Sequence, residues 1–251
     1  MLRARRELGQ HFLVARWVAR IFAGWACRFR RLLEVGVGQG FLTSTILRSC
    51  SVEIAGLELD LRLVGELASI SFYFTGFMPV IADAVEPPLR LGGVDAVYGS
   101  IPYNITGPLL SLLVVEARKP ALLLLQREVV DRLAAKPGTA SYGRITVLVR
   151  LVYDVKPGPV VPPSAFRPRP KVYSRIVELV PRPDAPSPDM LRRVEELTKC
   201  MFSERNKRAA KVAAKCIGIE LSKIEGLVGR DIRVYQLEPE KFIQLLDSQN
   251  G

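Results

Sequence analysis

Short runs of aliphatic and branched residues alternate with amphipathic stretches between residues 31 and 135. Residues 31–35, 52–57, 79–82, 94–99 and 121–126 read as strands. Residues 41–50, 61–70, 107–116 and 127–135 read as helices. The strand runs show little polar alternation, as expected of central parallel strands covered on both faces. This rhythm predicts an α/β fold with a doubly wound, mostly parallel sheet. Residues 147–155 and 173–180 alternate more and are expected to form a terminal, hairpin-like pair. Residues 136–143 are rich in turn formers and are expected to form a mobile loop. Residues 181–188 carry four prolines and read as a linker. Ser187 followed by Pro188 is a helix start, an N-cap residue before proline at the first helical position. Beyond it the pattern is helical to the end. The expected domains are therefore 1–181 and 182–251, the second small and all-α.

Composition adds a charge argument. The net charge of +11 is segregated, with +7 over residues 1–31, −6 over residues 32–117 and +10 over the remainder. Basic flanks around an acidic centre indicate a polyanion footprint beside a pocket that is not itself basic. The single histidine, His11, excludes a His-rich metal site and any Ser-His-Asp triad that does not use it. No metal is expected. Cys27, Cys50, Cys200 and Cys216 are far apart, with no Cys-x-x-Cys, and read as buried thiols of a cytosolic protein. The apolar stretches 109–115 and 121–125 are too short to cross a bilayer. A cytoplasmic protein with no membrane partner is expected.

The candidate chemistry lies at the ends of the strand runs. Glu34-Val-Gly-Val-Gly-Gln-Gly40 places Gly36, Gly38 and Gly40 in a tight turn that brings backbone close to a ligand. Glu34 suits a ligand with a cationic end, such as S-adenosylmethionine. Glu58 ends the next strand, where α/β nucleotide binders place a carboxylate on ribose hydroxyls. Asp60 is better placed to cap the following helix. Asp83 ends the third strand, within reach of an adenine amino group. Ser100-Ile-Pro-Tyr-Asn-Ile105 follows the fourth. Ser100 and the carbonyl of Ile101 offer acceptors to an exocyclic amine, Pro102 removes a competing donor, and Tyr103 offers a stacking face.

These segments, with Gly9-Gln-His-Phe-Leu13 and Phe166-Arg-Pro-Arg-Pro-Lys-Val172, occur in the order and spacing of one family. The chain resembles the ribosomal RNA adenine dimethyltransferases of the KsgA type, related to the erythromycin-resistance methylases. The likeness runs from about residue 7 to residue 180, and more loosely through Phe202–Ala209. It implies a Rossmann-like methyltransferase sheet and S-adenosylmethionine as cofactor. Gln10, His11 and Leu13 would close over the methionine end, Gly36, Gly38 and Gly40 would cradle the cofactor, Glu58 would hold the ribose, and Asp83 the adenine. Tyr103 and Phe166 would clamp the target base. Phe166, read without the resemblance, would be a core residue. Arg3, Arg5, Arg6, Arg167, Arg169, Lys171, Arg205, Lys207, Arg208 and Lys211 would contact RNA. The implied activity is dimethylation of two adjacent adenines near the end of small-subunit rRNA, by a monomer acting on a pre-30S-type particle during ribosome biogenesis.

One position departs from the pattern. The family has Asn or Asp where this chain has Ser100. A shorter, rotatable acceptor puts the rate or extent of methylation in question more than cofactor binding. The competing reading is an assembly factor that binds rRNA and methylates weakly. A DNA adenine methyltransferase is disfavoured because no target-recognition domain stands beyond the helical tail.

Overall fold

The computed structural model describes residues 9–87 and 91–248. Its main sheet has seven strands. They are β2 (Arg31–Val35), β3 (Glu53–Glu58), β4 (Phe77–Ile81), β5 (Ala96–Ser100), β6 (Ala121–Gln126), β7 (Tyr153–Val161) and β9 (Ser174–Pro181). Their order is β4-β3-β2-β5-β6-β9-β7. Pairing is parallel from β4 through β6, and β9 runs antiparallel to β6. A separate two-stranded ribbon joins β1 (Phe12–Leu13) to β8 (Phe166–Arg167).

The chain steps outward from β2 to β3 and β4, then returns across β2 to lay down β5 and β6. The strand order therefore reverses between β2 and β5, and open α/β sheets bind ligands in the crevice beyond such a point. The helices α1 (Arg16–Ala26), α2 (Phe41–Ser49) and α3 (Val64–Tyr73) follow the predicted runs. Phe22, Ile46, Leu67, Phe77 and Tyr98 form the centre of the core between these helices and the sheet. The helix predicted over 107–116 is α4 (Thr106–Leu112), continued by a π turn over Leu113–Ala117. After β6 comes α5 (Arg127–Leu133).

The chain divides into two compact units. One holds the residues through Val130 with Lys156–Val180, and the other holds Asp131–Val155 with the chain from Pro181 onward. One cut between the units falls between Val180 and Pro181, and residues 131–155 group with the helical tail instead of with the sheet. Residues 144–152 are the reason. They form the helix α6 (Arg144–Val152), where a strand was expected. The run is rich in branched residues and looks like a strand, yet Val147, Leu148, Val149, Leu151 and Val152 are all buried. It packs against α7 (Pro188–Phe202) and α10 (Pro239–Asp247), the first and last of four helices that include α8 (Ala209–Ile217) and α9 (Leu221–Val228). Tertiary burial overrides local propensity there. Only from Tyr153 does the chain extend into β7.

The loop over 136–143 is anchored, contrary to its turn-rich composition. Tyr142 is fully buried and its hydroxyl donates to the carbonyl of Leu237 at 2.7 Å. The Gly138 amide donates to Tyr235 at 2.8 Å. At α7 the prediction holds: the Ser187 side chain accepts from the Met190 amide, with Pro188 at the first helical position.

The cysteines overturn the expectation of free, buried thiols. Cys27 and Cys50 form a disulfide, as do Cys200 and Cys216, and Cys27 and Cys200 are exposed. Cys27 and Cys50 close α1 and α2, and packing of those two helices brings their Cα atoms to 5.7 Å. A sequence separation of 23 residues gives no hint of this. Disulfides persist in oxidising compartments and in intracellular proteins of hyperthermophiles. Replacing Cys27 and Cys50 together by serine is expected to lower stability by about 3 kcal/mol in urea unfolding of the oxidised protein, from loop-closure entropy. Dithiothreitol should then destabilise that variant less than the wild type.

Candidate active site

A cleft open to solvent lies beyond the carboxyl ends of β2, β3 and β5. Gln10, His11, Gly36, Gly38, Glu58, Asp83, Ser100, Ile101, Pro102, Tyr103 and Phe166 all line it. Eleven predicted positions scattered over 157 residues thus meet in one crevice. Leu13 and Gly40 do not. Leu13 lines a smaller adjoining recess with Glu34 and Gln39. Gly40 lines neither. It has φ +71° as the N-cap of α2, and a Cβ there would collide with Ile70. Its left-handed φ calls for glycine whether or not a ligand touches it.

Gly36 and Gly38 also have positive φ, 72° and 58°. A Cβ would sit 3.3 Å from Pro102 at Gly36 and 3.2 Å from Phe12 at Gly38, narrowing the cavity floor. The turn is held from β3. Glu58 Oε2 accepts from the Gly38 amide at 2.8 Å, and Oε1 accepts from the Leu59 and Asp60 amides, each at 2.9 Å. A carboxylate offers about four acceptor sites, so these three amides leave one over. Asp60 caps the short turn after β3, as expected, by accepting from the Arg62 amide at 3.1 Å. Its buried carboxyl is held well below the usual range, chiefly by hydrogen bonds from the Arg62 side chain. Asp60 also accepts from Gln10 Nε2 at 2.8 Å.

The segment carrying Gln10 and His11 is strapped across the cavity. At one end Gln10 binds Asp60. At the other, Phe12 and Leu13 pair with Arg167 and Phe166, and the Val14 amide donates to Ala165 at 2.8 Å. His11 Nδ1 donates to the Pro168 carbonyl at 2.8 Å, and its ring lies 5.7 Å from that of Tyr103. Tyr103 shares a hydrogen bond of 3.0 Å with Ser174, a buried residue at the start of β9. Phe166 is buried, as its reading as a core residue expects, and it also lines the cavity. Ser174, Phe12 and Asn104 were missed by sequence reasoning. Phe12 and Asn104 sit inside the motifs and were legible there. Ser174 lies 71 residues from Tyr103 and carries no local signal.

Glu34 is not offered to the main cavity. It is buried and accepts from the Thr43 hydroxyl and the Tyr98 hydroxyl, both at 2.6 Å. Burial raises its pKa to about 7, against the two hydrogen bonds, with Glu58 adding repulsion.

Among the predicted RNA contacts, Arg169, Lys171, Lys207 and Lys211 are exposed. Arg167 is exposed too, and its Nη1 donates to the carbonyls of Phe166 and Ser164. Arg208 is exposed and pairs with Asp231 at 3.2 Å. Arg205 is turned to structure: it donates to the Ala140 carbonyl at 3.1 Å and lies over Tyr235, pinning the 136–143 loop. Arg3, Arg5 and Arg6 lie outside the described residues. Among the described residues, no helix is long and apolar enough to cross a membrane.

A doubly wound sheet with a glycine cradle at its switch point, carboxylates on the next two strands and a Ser-Ile-Pro-Tyr turn opposite defines a Rossmann-like methyltransferase. Solved structures share the fold. A dimethyladenosine transferase from Plasmodium falciparum superposes with a TM-score of 0.82 at 23% identity, over 96% of this chain and 98% of that one. The 23S rRNA methyltransferase ErmE superposes with a TM-score of 0.66, also at 23% identity, over 96% of this chain and all of that one. The model of the ribosomal RNA adenine dimethylase family matches residues 1–249, and the chain belongs to that family. A probable ribosomal RNA small subunit methyltransferase A of Pyrobaculum aerophilum is 36% identical over 96% of both chains. A ribosomal RNA small subunit methyltransferase A of Rhodospirillum rubrum is 37% identical over 82% of this chain and 74% of its own. The protein is thus an adenine dimethyltransferase by family, with S-adenosylmethionine as its methyl donor. The cavity leaves room for that cofactor: a side chain at Gly36 or Gly38 would narrow its floor, and the carboxylates of Glu58 and Asp83 line its wall.

The titration of Glu34 is testable. Between its ordinary value of 4.5 and about 7 the native state keeps a proton that the unfolded chain has lost. Stability from this group is present below pH 4.5, falls as pH rises to about 7, and is flat above. Glu34→Gln keeps a hydrogen-bonding partner for Thr43 and Tyr98 and removes the titration. In urea unfolding it is expected to match the wild type near pH 4.5 and exceed it by up to about 3 kcal/mol at pH 8.

Proposed function

We propose that the protein dimethylates the exocyclic amines of two adjacent adenines near the end of small-subunit ribosomal RNA, during assembly of the subunit in the cytoplasm. One observation carries this reading. The Ser100–Tyr103 turn and Phe166 open into the same cavity as the glycine cradle, Glu58 and Asp83, so a base amine and a methyl donor have adjoining sites.

When bound, S-adenosylmethionine supplies an electrophilic methyl group on its sulfonium. Gly36 and Gly38 leave room for it, Glu58 takes the ribose hydroxyls on its remaining acceptor site, and Asp83 takes the cofactor's adenine amine. Gln10 and His11 cover the methionine end. The target adenine lies between Tyr103 and Phe166. Ser100 Oγ and the carbonyl of Ile101 accept the two amine hydrogens. That draws the nitrogen lone pair out of conjugation and aims it at the donor. No strong base is required, because the amine proton becomes acidic as the nitrogen gains its methyl group and leaves to water. Positioning supplies most of the rate. The Tyr103–Ser174 hydrogen bond fixes the stacking ring. Arg167, Arg169, Lys171, Lys207, Arg208 and Lys211 hold the RNA backbone, and the second unit is an RNA-binding module acting on a pre-30S-type particle.

Methyl incorporation into purified small-subunit particles, read by nucleoside mass spectrometry, tests the proposal. Dimethyladenosine is the expected product, and unmodified adenine throughout would refute it. Under single-turnover conditions Ser100→Ala is expected to lose ~10²–10³ in rate, as for a positioned acceptor in a preorganised site. Ser100→Asn should match or exceed the wild type, and Tyr103→Ala should lose at least as much as Ser100→Ala. By calorimetry, Glu58→Ala should weaken cofactor binding by ~1–3 kcal/mol. Unchanged affinity in that variant would place the ribose elsewhere.

A further inference from the structure

The start of α1 carries chemistry that the cavity does not use. Arg16, Trp17 and Arg20 are exposed, with 42% of Trp17 and 40% of neighbouring Val14 open to solvent. Spacings of three and four residues put Trp17 and both arginines on one side of the helix. The other tryptophan, Trp25, is buried and donates to Glu178 at 2.8 Å. The arginines of this region are treated differently at the two ends of α1. Beyond its C-terminus, Arg28, Arg30 and Arg31 pair with Glu178, Glu53 and Asp95. Arg16 and Arg20 form no hydrogen bond or ion pair with any described residue. An exposed indole between two cations without acidic partners has the composition of a single-strand platform, with a base on the ring and phosphates on the guanidinium groups.

Its position connects it to the target-base side of the cavity. β1 runs directly into α1, and Leu13 is paired with Phe166. Trp17 follows Leu13 by four residues, at most about 14 Å even for a fully extended chain. Arg167, exposed, lies opposite Phe12 on the partner strand. An RNA strand that delivers a base to Phe166 has its neighbouring nucleotides within range of this face.

We propose that Trp17 stacks an unpaired base flanking the target adenine, while Arg16 and Arg20 hold the adjoining phosphates. The inference rests on the RNA reading above and adds a positioning element to it. The test uses full-length protein and protein-free small-subunit rRNA, with tryptophan emission and affinity both recorded. Emission of the wild type is expected to be quenched by the RNA. Trp17→Phe should abolish the quenching and keep affinity within about twofold, since phenylalanine still stacks. Trp17→Ala should weaken binding about tenfold or more. Arg16→Gln with Arg20→Gln should reduce the slope of log affinity against log salt by roughly 1.4, for two phosphates on a single strand. Thermal melting and cofactor affinity should stay at wild-type values in all variants. Unchanged affinity in Trp17→Ala, or quenching that survives in Trp17→Phe, would overturn the inference. So would quenching by anionic lipid vesicles without quenching by RNA, which would assign the face to a membrane surface. Methyl incorporation by the wild type, measured on small-subunit particles in parallel, separates the two levels: incorporation with no effect of Trp17→Ala sinks this inference alone, whereas a wild type that neither binds nor methylates sinks both.

Discussion

The carboxylate of Glu58 holds three backbone amides at once, those of Gly38, Leu59 and Asp60. Through them it ties the turn after β2 to the end of β3, at the point where the strand order reverses. Amides in such turns have no ladder partners, and leaving them buried and unpaired would cost the desolvation of each group. The same contact sets the height of the cradle beneath the cavity. Gly36 and Gly38 keep that cradle open, and Pro102 and Phe12 close in on it from the other strands. The shape of the cavity floor therefore follows from a carboxylate that acts as a structural clasp.

A second constraint couples the glycine-cradle side of the cavity to the Phe166 side. The N-terminal segment binds Asp60 through Gln10 at one end and the Phe166 strand through β1 at the other. Asp60 is in turn locked by Arg62, so the strap is anchored to a group that stays ionised. Across the cavity, Tyr103 is braced by Ser174 from β9. The antiparallel strand added to an otherwise parallel sheet thus has a direct use, because it brings a hydroxyl to the ring on which the base would stack. Ser100 sits between these supports on a rigid strand end.

Much of this was legible in the sequence. The strand runs, the acids at their ends, the glycine turn and the Ser-Ile-Pro-Tyr turn are all local signals, set by the two-residue period of strands, the φ freedom of glycine and the missing amide of proline. Asp60 as a cap and Ser187-Pro188 as a helix start belong to the same class. Other assignments depended on partners distant in the chain. Gly40 looks like its two fellow glycines, and only the fold shows that it lies against Ile70 of α3 and off the cavity lining. Arg205 looked like its basic neighbours until Ala140 and Tyr235 were seen to occupy it.

By itself the sequence determined the α/β class, the order of the motifs and the strand ends at which chemistry would collect, because these depend on properties of each residue and its nearest neighbours. Tertiary structure decided what depends on burial and on encounters across the sheet or between helices. It made a helix of the branched run 144–152 by burying it on α7 and α10, and it joined Cys27 to Cys50 by packing α1 on α2. It also enclosed Glu34 with Thr43 and Tyr98, withdrawing from the cavity a carboxylate that its position in the turn had offered to it. In each case the deciding energy is the removal of a group from water by a partner many residues away, which no local pattern records.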